Sequence, residues 1–201
     1  ALAIGGAKMS KSLGNFLTIQ SFLKKYPAAV LRLMVLSHHY RTPFNYTEDL
    51  SLENYKKWTG ILEFMAKLRL VSQFSKNSRK VKIENLSREF AAPLLDDFNT
   101  PLALARLFEF MSGIQPKVWN LSREDARIVE KLVAASLKTL GFTLKLPEIP
   151  TRIAKLALAR EAFRRNKQFT QADLLRKKIN ALGYGLDDTP LGPFLWPRVL
   201  S

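Results

Sequence analysis

A chain of 201 residues fits one large domain or two small ones, and 32 lysines and arginines against 17 aspartates and glutamates give it a formal charge of +15. It contains no cysteine, which excludes disulfides, thiolate metal sites and cysteine nucleophiles together and leaves His38 and His39 as its imidazoles. A hydrophobic content of 47% excludes wholesale disorder, no apolar run approaches the roughly 20 residues that span a bilayer, and residues 1–6 are too short and uncharged for a signal peptide; the expectation is a soluble, cytoplasmic protein.

Residues 1–4 read as the end of a buried strand, so the sequence opens in mid-element and is expected to be truncated, while Gly5, Gly6 and residues 8–15 read as a loop. A 3.6-residue period takes over at Thr18, the expected cap of a short helix that carries Ile19, Phe22 and Leu23 and stops before Pro27. Residues 28–39 are apolar almost all round, which predicts a buried helix. A long amphipathic helix follows over 50–74, with Tyr55, Trp58, Ile61, Leu62, Met65 and Leu68 mostly at helical spacing, and the polar stretch 75–82 is expected to be a mobile connection.

Further helices are predicted at 87–96, 100–112 and 123–140. Asn99 or Thr100 caps the second ahead of Pro101, Ser122 caps the third, and Gly141 closes it. Two prolines and a missing helical period make residues 143–150 a linker. Beyond it, 151–166 and 170–182 form a helical hairpin ending at Gly183, followed by a short β-hairpin over 184–196.

Basic residues outnumber acidic ones by 8 to 3 in residues 1–60, 14 to 10 in 61–150 and 10 to 4 in 151–201. Charge spread in this way suits a long polyanion of transfer-RNA size better than one small anion, although charge alone does not separate nucleic acid from an anionic membrane surface.

The most informative stretch is Lys8, Met9, Ser10, Lys11, Ser12, Leu13, Gly14 and Asn15. Two ammonium groups three residues apart, among small hydroxyl residues and close to Gly5, Gly6 and Gly14, make a loop able to close on polyphosphate. The octet resembles the KMSKS signature of class I aminoacyl-tRNA synthetases. By that resemblance Lys8 and Lys11 are catalytic, and Lys11, Ser10 and Ser12 meet the phosphates of ATP, which is used with Mg2+. When a carboxylate attacks the α-phosphate, charge builds on the departing pyrophosphate, and a cation placed for that stage stabilises the transition state more than the ground state.

The flanks narrow the resemblance. Residues 36–43 (Leu-Ser-His-His-Tyr-Arg-Thr-Pro), then Asp96, Asp97, Phe98, Asn99, Thr100 and Pro101, and a third stretch that includes Arg160, Phe169, Arg176, Gly183, Asp188 and Trp196, are similar to cysteinyl-tRNA synthetases over nearly the whole chain. The resemblance implies a mainly α architecture in three parts. Residues 1–46 hold a strand-loop remnant of the catalytic domain with the start of the stem-contact region, 47–146 a helical bundle of DALR type, and 147–201 a small α+β anticodon-binding module.

The resemblance further implies ATP-dependent activation of cysteine and its transfer to tRNA(Cys), with no membrane partner and a monomeric state. The family's nucleotide-binding fold, HIGH motif and zinc site all precede the octet. The chain by itself is therefore expected to be inactive and to hold no metal, the zinc belonging to the upstream half.

Other residues admit more than one use. His38 and His39, at a helix end, read as structural, capping carbonyls or packing. Asp96 and Asp97, just before an Asn-Thr-Pro helix start, complement the helix dipole rather than bind a metal. Arg160, Arg164, Arg165 and Lys167 share one helical face, with Arg176, Lys177 and Lys178 on the partner helix, and serve equally as a solvated face or as RNA phosphate contacts. Asp188 can accept base N–H groups and Trp196 can stack on a base or pack in a core. Phe64, Met65, Phe108, Phe110 and Met111 belong to the core. Two rival functions stay open: a free-standing, non-catalytic tRNA- or RNA-binding protein derived from such a synthetase, and a structural component of a ribonucleoprotein.

Overall fold

The structure, a computed structural model, describes residues 2–4, 7–8, 17–78 and 85–198, and is mainly helical with two small sheets. Among the described residues no helix is long and apolar enough to cross a membrane. The chain divides into two units, one drawn from Ala1–Ile61, Lys82–Gln115 and Lys131–Leu144, the other from Leu62–Val81, Pro116–Glu130 and Lys145–Ser201.

In the first unit β1 (Leu2–Ile4) runs antiparallel to β2 (Ala7–Lys8) and parallel to β3 (Phe44–Tyr46). Ala3 pairs with Lys8 on one side and with Asn45 on the other. Lys8 is therefore the end of a strand and not the start of a loop, because an antiparallel partner needs only a short connection. The third strand was not anticipated: three residues are too few to show a period, and their partner is distant in sequence.

Helix α1 (Ile19–Leu23) begins where Thr18 Oγ1 accepts from the Ser21 amide at 2.9 Å. Helix α2 (Ala28–Leu36) buries Val30, Leu33 and Met34 but leaves Val35 52% exposed, so its burial is one-sided rather than all round. It also stops short of His39. Ser37 Oγ donates to the Leu33 carbonyl at 2.7 Å and His38 Nδ1 donates to the Met34 carbonyl at 2.8 Å, which satisfies the last turn from side chains.

Helix α3 (Glu48–Phe74) starts where Thr47 Oγ1 takes the Leu50 amide at 3.1 Å. Helices α4 (Leu86–Leu95) and α5 (Thr100–Ile114) pack on each other; Asn85 and Asn99 cap them through their side-chain oxygens. Helix α6 (Arg123–Thr139) closes at Gly141, whose φ of +77° lets the Phe142 amide reach the Leu137 carbonyl at 2.9 Å. Phe142 then stacks on Trp58 at 5.4 Å between centroids. Leu33, Met34, Ile61, Leu107 and Leu137 are fully buried in this unit.

In the second unit α7 (Thr151–Arg165) and α8 (Phe169–Ala181) cover a hairpin of β4 (Tyr184–Thr189) and β5 (Gly192–Pro197). Ile153, Ala157, Ile179 and Leu186 form the core between them, each isoleucine contributing about 1.5–3 kcal/mol by burial. Lys167 takes a left-handed φ of 59°, which turns the chain so that the Gln168 amide donates to the Phe163 carbonyl at 2.8 Å. Gly185 lies opposite Trp196 in the β4–β5 register, and any side chain at 185 would run into the indole.

The expected mobile connection after α3 is corrected at its start. Ser75 is 2% exposed and donates to the Leu121 carbonyl at 2.8 Å, Arg123 Nε donates to the Ser75 carbonyl at 2.8 Å, and Asn77 Nδ2 reaches the Trp119 carbonyl at 3.1 Å. A 3₁₀ helix over Gln115–Asn120, absent from the sequence reading, presents the Trp119 carbonyl, and Leu121 follows it directly. Lys67, almost fully buried, pairs with Glu63 at 2.6 Å and sits 5.6 Å from the centre of the Phe194 ring, which also meets Trp119 and Trp196.

Candidate nucleic-acid interface

The helical period of α7 places Arg160 and Arg164 one above the other, with Glu161 and Arg165 paired in the same way one residue along. The β4 strand brings Asp188 to this face. Arg160 grips it with both guanidinium ends, Nη1 to Oδ1 at 2.5 Å and Nη2 to Oδ2 at 3.0 Å, and Arg164 shares the second oxygen. The Arg160 side chain is only 3% exposed whereas that of Asp188 is 43% exposed, so the pair runs from the interior of the module to its surface.

The Arg160 hydrogen bonds, helped by its charge and by Arg164, hold the Asp188 carboxyl below the usual aspartate range, outweighing partial desolvation. Arg160 Nε is buried with no hydrogen-bond partner among the described residues.

Around the outer end of this pair lies a cleft of about 310 Å3 lined by Glu161, Arg164, Arg165, Phe169 and Asp188, with the start of the β4–β5 turn. Its chemistry is mixed. Two exposed guanidinium groups can meet phosphate, two carboxylates can accept base N–H groups, and Phe169, 60% exposed at the first turn of α8, offers a ring face. Glu161 and Phe169 were given no role by sequence reasoning; the signal for Phe169 was an aromatic at a polar helix start.

Four of the candidate RNA-binding residues, Arg160, Arg164, Arg165 and Asp188, are thus brought together, and two are not. Arg176 is exposed on α8 and Trp196 is half-buried against Phe194, and neither lines the cleft. Lys8 ends β2, while Ser10, Lys11 and Ser12 lie outside the described residues.

A second cluster joins two stretches far apart in the chain. Asp97 Oδ1 accepts from Tyr40 Oη at 2.6 Å and from Arg41 Nη2 at 3.1 Å, Arg41 Nε lies 3.1 Å from Oδ2, and Thr100 Oγ1 donates to the Leu36 carbonyl at 2.8 Å. The Tyr40 hydrogen bond, aided by Arg41 and His39, holds the Asp97 carboxyl below the usual aspartate range, outweighing desolvation. Asp97 and Phe98 both hold left-handed φ values, 51° and 50°. Dipole complementarity alone does not describe Asp97. Its contacts are to the 39–41 segment.

The chain has no cysteine, and among the described residues no three histidines, aspartates or glutamates converge on a metal position.

Comparison with known families agrees with this architecture. A profile described as the class I (C) tRNA synthetase catalytic domain matches residues 1–57, and a DALR domain profile matches residues 89–146. Proteins named cysteine–tRNA ligase are similar over almost the whole chain. That of Caldicellulosiruptor saccharolyticus is 33% identical over 94% of this chain and 43% of its own length. That of Symbiobacterium thermophilum is 34% identical over 95% and 43%, and that of Archaeoglobus fulgidus 31% over 95% and 43%. The catalytic-domain match, beside a DALR helical bundle, places the chain among the class I aminoacyl-tRNA synthetases. Within that class the chain belongs to the cysteinyl-tRNA synthetase family. It spans less than half the length of the curated relatives it matches.

Proposed function

We infer that the chain supplies the signature loop and the tRNA-holding parts of an enzyme that activates cysteine with ATP and transfers it to tRNA(Cys). The observation that carries this reading is similarity to cysteine–tRNA ligases across 94–95% of the chain. Three parts divide the work: residues 1–46 carry the loop, 47–146 the helical bundle, and 147–201 the anticodon-binding module.

Lys11 is the cation that meets the departing pyrophosphate, with Lys8 in support and the Ser10 and Ser12 hydroxyls on the ATP phosphates. In the C-terminal module Arg164, Arg165 and Arg176 are the outward cations for RNA phosphates. Arg160 holds Asp188 from beneath, so the carboxylate stays ionised and oriented to accept from an unpaired base that rests on Phe169.

Lys11→Ala in the complete ligase should slow ATP–pyrophosphate exchange by about 100-fold or more while tRNA affinity stays within about twofold. Equal exchange rates in variant and wild type would remove the loop from the mechanism.

A further inference from the structure

The Tyr40–Asp97–Arg41 cluster is not accounted for by packing. Tyr40 is 63% exposed and the Arg41 side chain 67% exposed, so little apolar burial holds the cluster together. Two successive non-glycine residues nonetheless sit in the left-handed region at Asp97 and Phe98, a conformation that persists only where its surroundings hold it. Besides local backbone bonds such as Asn99 amide to Pro93 carbonyl at 2.9 Å, the side-chain contacts that hold it go to one distant stretch, residues 36–41. Tyr40 and Arg41 grip the carboxylate, His39 lies 3.8 Å from its second oxygen, Arg41 Nε also donates to Tyr40 Oη at 2.9 Å, and Thr100 hooks the last carbonyl of α2.

That segment leads directly into β3. Thr42 Oγ1 donates back to the His39 carbonyl at 2.7 Å, closing the turn, and Phe44–Tyr46 then pair with Leu2–Ile4, which pair with Ala7–Lys8. Side-chain hydrogen bonds to Tyr40 and Arg41, two further residues of chain and the β-ladder thus connect the α4–α5 turn, inside the region matched by the DALR profile, to the strand that ends on the first lysine of the signature, inside the region matched by the catalytic profile.

We propose that Asp97 is a positioning residue for the first signature lysine, Lys8: by clasping Tyr40 and Arg41 it sets where β3 lies, and through the β3–β1–β2 ladder it ties the placement of the Lys8 backbone to the helical bundle. The proposal rests on the functional reading above for its purpose, and on contacts alone for the coupling.

Hydrogen exchange on the full chain tests it. Asp97→Ala should raise exchange at the Phe44–Tyr46 and Leu2–Ile4 amides by about tenfold at an unchanged global denaturation midpoint, and Tyr40→Phe should do the same to a smaller degree. Asp97→Asn, which tolerates the left-handed backbone and keeps an acceptor for Tyr40, should return exchange to within about threefold of wild type. Arg106→Ala, which breaks the exposed Arg106–Glu109 pair on α5, should leave the ladder unmoved. A ladder that ignores Asp97→Ala, or that loosens only in step with global unfolding, would overturn the proposal. Addition of total tRNA separates the two readings. Slower ladder exchange in wild type but not in Asp97→Ala supports both, whereas a ladder loosened by Asp97→Ala and indifferent to tRNA in wild type upholds the positioning and removes its functional purpose.

Discussion

Asp188 and Asp97 are both gripped by arginine, and they differ in what lies beneath them. Arg160 meets Asp188 from a side chain only 3% exposed, whereas Arg41 meets Asp97 from one that is 67% exposed. A guanidinium taken out of water needs its carboxylate, and removing the partner leaves a buried charge. An exposed pair is solvated either way and adds little stability. The same two functional groups therefore serve different ends: the first ties a strand to a helix in a small module, and the second fixes where a surface segment goes.

Removing the Asp188 carboxylate is the most direct way to break this comparison. Asp188→Ala should destabilise the C-terminal module by about 2–3 kcal/mol, discounted from the ~3–5 kcal/mol of a fully buried pair because the carboxylate is 43% exposed. Chemical denaturation followed by tryptophan fluorescence reads it, and a loss below about 0.5 kcal/mol would make the pair equivalent to a surface one. The pH dependence carries the same sign. Because the carboxyl is held below its ordinary value, the contribution of the pair is complete above about pH 4 and is lost as pH falls through the lowered value; the Asp188→Asn variant should lack that acid-side decline.

A smaller effect is expected where packing and not charge is changed. Gly185→Ala forces a methyl group into the Trp196 indole and should cost about 1–2 kcal/mol, with a shift in tryptophan emission as the ring moves off Phe194. The smallest change in stability belongs to the exposed pair: Asp97→Ala should leave the global denaturation midpoint unchanged in the same assay, since both partners are solvated either way.

Much of the helical layout was legible because it depends on local chemistry. Thr18, Asn99 and Ser122 cap helices through their own oxygens, and Gly141 and Gly183 take positive φ, so each boundary is written in residues that touch it. The β-hairpin after Gly183 was readable for the same reason. The unread features are those set by partners distant in sequence. Phe44–Tyr46 becomes a strand only because β1 lies beside it, and residues 28–39 could not announce that Ser37 and His38 would end the helix by folding back.

Charge followed the same division. The basic face of α7 was visible in the spacing of Arg160 and Arg164, but its burial gradient was not, since Asp188 reaches it from β4 and Glu161 takes Arg165. Asp97 looked like a helix-dipole residue while only its neighbours were in view. Its actual partners, Tyr40 and Arg41, come from a stretch the chain meets only after folding.

The central claim is that this basic surface holds tRNA through the C-terminal module, and equilibrium binding as a function of salt tests it most directly. The chain should bind tRNA(Cys) more tightly than another tRNA, with affinity falling steeply as salt rises, and Arg164→Gln with Arg165→Gln should flatten the log–log slope by about one unit per arginine. Binding that ignores salt, or a double variant with the slope and affinity of wild type, would contradict it.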